Sequence, residues 1–292
     1  MENKEKKGIL HWMRLLFGSP VGAVGFITLL LVILASLFAG QLSPYDPAKQ
    51  NLLDKLMPPA WCEDGTMAHL LGTDSLGRDV LTRCLYGASI SLVVGVCSVA
   101  VAGAIGTVLG LLSGYYGGWV DSLIMRIADA FHAIPRILLA MVVLFVMGPS
   151  VFTLIMVIGV TNWVTYARMI RSEVLTIKEK EYIKASRTIG AADWEIILRH
   201  VLPNVAAQFI VVSTISVASS IIIEATMSFL GLGIQPPTVS WGVMLADGRN
   251  YLATNWWVCT FPGVAITVTV MGIMFLGNWL RDVLDPRNQG IR

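Results

Sequence analysis

The chain has 292 residues, of which 55% are hydrophobic and 14% charged, and its mean hydropathy is +0.70. Soluble domains carry about 25% charged residues, so this chain lacks the polar surface of an ordinary soluble enzyme, and its apolar content excludes a disordered or collagen-like chain. The net charge of +2 offers nucleic acid no broad basic surface, and the placement of the charges carries more information than their sum.

A bilayer-spanning helix needs ~20 mostly apolar residues. The first such run covers about Val21 to Ala39. It is too long for the apolar part of a signal peptide and no small-residue cleavage site follows it, so it reads as a retained anchor. A long loop follows, from about Gly40 to Gly87. The second run is about Ala88 to Leu112, rich in glycine at Gly95, Gly103, Gly106 and Gly110. The third is about Ser122 to Met147, with Pro135 inside it as an expected kink. The fourth is about Val151 to Met169. The fifth, about Val205 to Leu230, carries Ser213, Ser216, Ser219 and Ser220, and the sixth is about Trp256 to Leu280. Small residues let helices pack closely in lipid. The alternating pattern of a membrane barrel is absent. The expected fold is an all-α membrane protein of six transmembrane helices.

Six spans put both termini on one side, and lysine and arginine say which. Lys4, Lys6, Lys7 and Arg14 precede the first span. Arg126 and Arg136 follow the second, and Arg281, Arg287 and Arg292 follow the sixth. Arg168, Arg171, Lys178, Lys180, Lys184, Arg187 and Arg199 lie between the fourth and fifth. These are 16 of the 21 basic residues, so this face is cytoplasmic and the orientation is N-in, C-in. Lys49, Lys55, Arg78, Arg83 and Arg249 fall on the other face.

Motifs for several chemistries are missing. No lysine follows a glycine, so there is no phosphate-cradling GxxxxGK[ST] loop. His11, His69, His132 and His200 are scattered, there is no HExxH, and no metal site is expected. Ser75 lacks the first glycine of GxSxG. No catalytic residue is assigned. Cys62 and Cys84 both fall in the outer loop and could form a disulfide in an oxidising compartment; with Cys97 and Cys259 they could equally be four small unpaired hydrophobes.

The segment between the fourth and fifth runs is the most informative. Residues 176–189 read as a polar helix. Gly190 suits the left-handed position that ends a helix, and Asp193 and Glu195 favour the start of a second. Pro203 is expected to stop it and Asn204 to cap the fifth span. Ala185 and Ser186, beside the turn, leave room for another protein's surface. The pattern Lys184-Ala185-Ser186-x3-Gly190-x9-His200-x-Leu202-Pro203 resembles the EAA loop of ABC importer permeases, EAA-x3-G-x9-I-x-LP. Lys184 replaces the glutamate, Ser186 the second alanine and His200 the isoleucine; the peptide-importing branch often ends in RHxLPN, as do Arg199 to Asn204.

The resemblance continues along the chain. His69-Leu-Leu-Gly-Thr-Asp-Ser-Leu-Gly-Arg-Asp-Val80 is similar to a loop motif of C-type dipeptide and oligopeptide permeases. Ser228 to Pro237, with Trp241-Gly242, resembles the end of their fifth span, and Leu280 to Pro286 their C-terminus. It implies the type I ABC importer permease fold in the bacterial cytoplasmic (inner) membrane, multi-pass. Residues 1–19 would be a cytoplasmic segment, 20–87 the first span and outer loop, 88–284 a five-helix core with a coupling segment at 173–203, and 285–292 a cytoplasmic tail. The implied partners are a B-type permease subunit, two ABC ATPase subunits that hold ATP and Mg, an external substrate-binding protein and lipid. In that family the loop docks on the ATPase, which implies contact residues at Glu181, Lys184, Ala185, Ser186, Gly190, His200, Leu202 and Pro203. The implied cargo is di- or oligopeptide, while the same branch also carries nickel, metal–opine complexes and glutathione.

Inside the bundle, Glu224 is an acid at membrane depth and a candidate for the translocation pathway by default, with Ser228 one turn on. A hydrogen bond between helices is the alternative, and a proton-coupled transporter using Glu224 a more distant one. Arg126 and Asp129, at i and i+3, can pair. In the outer loop Gly72, Asp74, Gly77, Arg78 and Asp79 do not match an EF-hand and read as tight turns. Trp241, Trp256 and Trp257 are expected as interfacial aromatics.

Overall fold

The computed structural model describes residues 9–284, with side chains from residue 11 onward. Lys4, Lys6, Lys7, Arg287, Arg292, the tail 285–292 and the end of the motif at Pro286 lie outside the described residues. The described chain is helical: α1 (Ile9–Phe17), α2 (Pro20–Leu37), the single turn α3 (Ala39–Leu42), α4 (Val80–Tyr116), α5 (Gly118–Ala133), α6 (Arg136–Met147), α7 (Val151–Lys178), α8 (Glu181–Thr188), α9 (Asp193–Ile196), α10 (Leu202–Phe229), α11 (Trp241–Gly248) and α12 (Trp257–Leu284). Among the described residues the one β-type pairing is an isolated bridge between Thr73 and Asp79.

Among the described residues five helices are long and apolar enough to cross a membrane, and a sixth span arises if α5 and α6 are taken together. The expected kink at Pro135 is far larger than a kink: α5 and α6 meet at 86°. Ile134 is extended, with φ −94° and ψ 128°, as the residue before a proline prefers, and Pro135 precedes a new helix. Side-chain bonds from Arg136 to Asn162 (3.2 Å) and Thr165 (3.4 Å) tie the start of α6 to α7.

Helices run past the ends of their apolar runs. α4 has 37 residues, about 55 Å at 1.5 Å per residue, against a hydrocarbon layer of ~30 Å. Its start is fixed by Asp79, whose carboxylate accepts from the Thr82 N–H at 2.7 Å. Ser150 caps α7 in the same way through the Thr153 N–H at 3.0 Å. Each hydroxyl or carboxylate meets a backbone donor that a helix start leaves unpaired.

The spans pack in the order α2, α12, α10, α4, α7, with α6 against α7 and α11 wedged between α10 and α12. Glycine sets the α4–α7 spacing. A Cβ at Gly106 would lie 2.4 Å from the Tyr166 Cβ and 2.5 Å from the Trp163 carbonyl oxygen. The outer surface stays greasy: Phe145 is 82% exposed and Phe152 71%, which suits lipid, not water.

The expected Arg126–Asp129 pair does not form. Asp129 instead accepts from Arg168 of α7 at 2.7 Å, and Asp121 accepts from Nε and Nη2 of Arg171, each at 2.6 Å. A neighbouring helix outcompetes an i,i+3 partner because burying α5 on α7 already brings these groups together, whereas a local pair is worth only ~0.2–0.5 kcal/mol. Cys62, Cys84, Cys97 and Cys259 are free, so the outer-loop disulfide is absent. Trp241 and Trp257 are not interfacial anchors but buried; their indole N–H groups donate to the Cys84 and Thr73 carbonyls at 2.9 and 3.1 Å.

Gly106→Val is expected to force α4 and α7 apart and to lower stability by ~1–3 kcal/mol, the usual cost of overpacking. Thermal unfolding in detergent checks this. Gly263→Ala is the control, since its Cβ meets only Leu245 Cδ2, at 3.9 Å.

Candidate functional site

The segment after α7 forms a compact knob. Its inner side is apolar: Ile183, Ile196 and Val201 pack with Ile170, Val174, Ile177 and Val205. Tyr115, at the end of α4, pegs it in place. The phenol donates to Asp193 at 2.6 Å, the Arg187 guanidinium lies 4.9 Å from the ring centroid, and the Lys178 ammonium donates to the Tyr115 carbonyl at 2.7 Å. Spacing within the segment gives no sign of Tyr115, which lies far upstream.

The turn between α8 and α9 closes as a paired cap. The Gly190 N–H donates to the Arg187 carbonyl at 3.0 Å and the Ala191 N–H to the Ser186 carbonyl at 3.1 Å, the two bonds of a Schellman motif. Gly190 takes φ +85°, as its position in the sequence suggests, and a Cβ there would meet nothing within 4 Å. The turn therefore faces open space. Beside it Ile189 is 84% and Trp194 64% exposed, large apolar surface at the tip of an otherwise polar knob. Glu181, Lys184, Ala185, Gly190 and Pro203 are exposed, and Ser186, His200 and Leu202 half-buried. Lys184 pairs with Glu179 at 2.9 Å, and this ammonium holds the Glu179 carboxyl below the usual carboxylate range.

Two details differ from the sequence reading. The first helix breaks at Glu179 and Lys180, so 176–189 is not continuous. Pro203 does not stop the second: α9, a π turn over Ile197–Val201 and α10 form one 37-residue helix from Asp193 to Phe229. The wider turn accommodates the ring and the missing N–H of proline near the start of α10. Asn204 accordingly does not cap by accepting; its amide donates to the His200 carbonyl at 2.6 Å.

Glu224 lies at the other end of that helix, 0% exposed. One carboxylate oxygen accepts from Ser228 at 2.9 Å and Ser240 at 2.7 Å, the other from Ser91 at 3.1 Å. Ser228 is buried as well. Neither residue presents surface to a pathway in this chain; the helix–helix bond is the geometry observed, extended by the turn before α11. Ser91 and Ser240 are 133 and 16 residues away, and only the fold joins them.

The outer-loop motif is a set of turns fastened by charge. Gly72 and Gly77 take φ +79° and +71°. Asp74 accepts from the Leu76 and Arg78 N–H groups at 2.8 and 3.0 Å and binds the Arg78 and Arg83 guanidiniums. Both arginines also reach Asp247 at the end of α11, at 2.8 and 3.1 Å. Asp79 caps α4 and its other carboxylate oxygen pairs with His69 Nδ1 at 3.0 Å. Among the described residues no three His, Cys, Asp or Glu side chains form a metal-binding group.

Comparison with known proteins places this architecture. The family model "Binding-protein-dependent transport system inner membrane component" matches residues 106–290, and "N-terminal TM domain of oligopeptide transport permease C" matches residues 11–59. A probable D,D-dipeptide transport system permease protein of Escherichia coli (strain K12) is 39% identical over 96% of this chain and 92% of its own. A di/tripeptide transport system permease protein of Pseudomonas aeruginosa (strain UCBPP-PA14) is 41% identical over 93% and 90%. A glutathione transport system permease protein of Pectobacterium atrosepticum is 42% identical over 94% and 90%. A solved inward-facing structure of a methionine ABC transporter aligns with TM-score 0.57 and 20% identity, covering 70% of this chain and 96% of that one, and shares the fold of an ABC importer permease. The chain belongs to the family of binding-protein-dependent transport system inner membrane components.

Proposed function

We propose that this multi-pass inner-membrane permease forms half of a peptide-conducting pore, paired with a B-type permease and driven by two ABC ATPase subunits. Family membership implies ATPase and substrate-binding partners and a second permease. The finer assignment of the cytoplasmic knob as the ATPase dock rests on one observation: an exposed turn with Ile189 and Trp194 at its tip, backed by a rigid apolar base. A partner groove can take up that surface. The partner ATPases bind ATP and Mg, in keeping with a sequence that carries no GxxxxGK[ST] pattern.

The mechanism follows from rigidity. Closure of the ATPase dimer draws the two knobs together. Because α9, the π turn and α10 are one helix, displacement of the knob is displacement of a span, and access to the pore alternates. A binding protein delivers peptide at the outer face, where residues 40–79 form an ordered loop.

The peptide assignment draws on relatives named for dipeptide and di/tripeptide transport. Glutathione is the second reading, favoured by the Pectobacterium atrosepticum relative. In proteoliposomes holding both permeases, labelled dipeptide uptake should require ATP, the ATPase subunits and the binding protein, and excess dipeptide should compete better than glutathione. Uptake driven by a proton gradient without ATPase subunits overturns the proposal, and preference for glutathione selects the second reading.

Gly190→Val imposes a left-handed backbone on a β-branched residue, at ~1–2 kcal/mol, roughly 5- to 30-fold in an equilibrium. ATPase subunits co-purifying with the permease should fall by that order while membrane insertion is kept. Gly190→Asn, which tolerates the conformation, should retain them. Tyr115→Phe removes the bond to Asp193 and leaves the ring, costing ~1.5–3 kcal/mol for a bond to a charged group. Faster amide hydrogen exchange over 181–196 is the expected sign.

A further inference from the structure

Both ends of α11 are anchored by charge, a buried carboxylate at the start and two buried guanidiniums at the end, and neither anchor belongs to the knob. At its start, the three serines around Glu224 act as two-sided clips. Each hydroxyl gives its one proton to the carboxylate and accepts a backbone N–H from the segment before α11 or from its first turn: Ile234 to Ser228 at 3.3 Å, Trp241 to Ser91 at 3.4 Å and Val243 to Ser240 at 3.2 Å. A hydroxyl has a single donor, so the carboxylate fixes the direction of all three. At its end, Asp247 is held by Arg78 and Arg83, which also grip Asp74 in the outer-loop turn. Between the clips and the clasp α11 is mostly buried, with Trp241, Val243 and Met244 in contact with the bundle.

We propose that Glu224 and Asp247 are positioning residues that make α11 a strut between the outer loop and the outer end of the Asp193–Phe229 helix. The opposite end of that helix is the cytoplasmic knob. Pressure on the outer loop from a docked binding protein thus moves α11, then α10, then the knob, with no hinge between Asp193 and Phe229. Packed elements with discrete arrangements carry coupling over such distances. The inference rests on the reading of the knob as the ATPase dock.

The test uses the full complex of both permeases and two ATPase subunits in lipid nanodiscs, with the binding protein saturated by a dipeptide mixture. Three quantities are read for each variant: ATPase co-purification, basal ATP hydrolysis, and its stimulation by the binding protein. Asp247→Asn removes the charge that holds the clasp, at a side chain already 28% exposed. Ser240→Ala removes one clip. Both variants are expected to keep co-purification and basal hydrolysis, while stimulation drops by roughly tenfold, inside the range of coupling between distant sites. Asp247→Glu and Ser240→Thr, which keep the charge and the hydroxyl, should retain most of it.

Stimulation within about twofold of the unaltered complex, well short of the expected coupling, overturns the strut. So does equal loss of basal and stimulated hydrolysis, which a purely structural role produces. If Asp247→Asn does not assemble, Ser240→Ala decides alone by the same criteria. Loss of co-purification in Gly190→Val tests the docking site separately, so failure of either reading is recognised by itself.

Discussion

Inside a bilayer no water is at hand to complete a hydrogen bond or screen a charge, so a charged group at depth is costly unless the protein itself supplies partners. That constraint shapes this chain more than any single apolar contact. Among the described residues no cation pairs with Glu224, and three hydroxyls fill its oxygens. Arg83 is almost wholly buried and is matched by Asp74 and Asp247. Asp121 meets Arg171 through two nitrogens. Since Glu224–Ser91, Arg83–Asp247 and Asp121–Arg171 join elements far apart in sequence, satisfying these charges also ties together the helices that carry them. The apolar surface drives the spans into the membrane; the few polar groups decide which helix lies beside which.

Much of the architecture can be read from the residues because the signals are local and strong. About twenty apolar residues in a row suffice for a span, and α2, α4, α7, α10 and α12 follow from that count. Gly190 is legible for the same reason: a helix end that must turn left-handed selects glycine whatever lies around it. Pro135 and Pro203 show where such local reading stops. Each removes one N–H and excludes one neighbouring conformation, but the result depends on what the surroundings offer. At Pro135 the chain turns 86° because α6 finds Asn162 and Thr165 on α7. At Pro203 the helix widens into a π turn and continues, because Val201 and Val205, on either side of the proline, are both buried against Ile170 and Val174 of α7.

The site was harder to see for a related reason. The knob's own residues lie in one stretch with a recognisable pattern, whereas its peg, Tyr115, comes from the end of another helix. Asp247 and Ser240 sit in a segment with no motif of their own beyond Trp241-Gly242. Arg126 and Asp129 mark the opposite error: correct spacing for a pair, but α7 brings Arg168 to Asp129 instead. Long-range partners carry no periodicity, so spacing alone cannot report them.

The length of the Asp193–Phe229 helix turns these details into function. A broken helix would let the knob swing on a flexible joint and absorb motion at the membrane surface. A continuous one cannot, since bending it mid-span would leave backbone groups unpaired in lipid. The π turn lies at the knob end of this helix, away from its most apolar stretch. Tyr115 ties the knob to α4, and the α4–α7 glycine contact at Gly106 holds both helices in register. The knob is therefore oriented by three spans at once, so a partner that moves it must move the bundle.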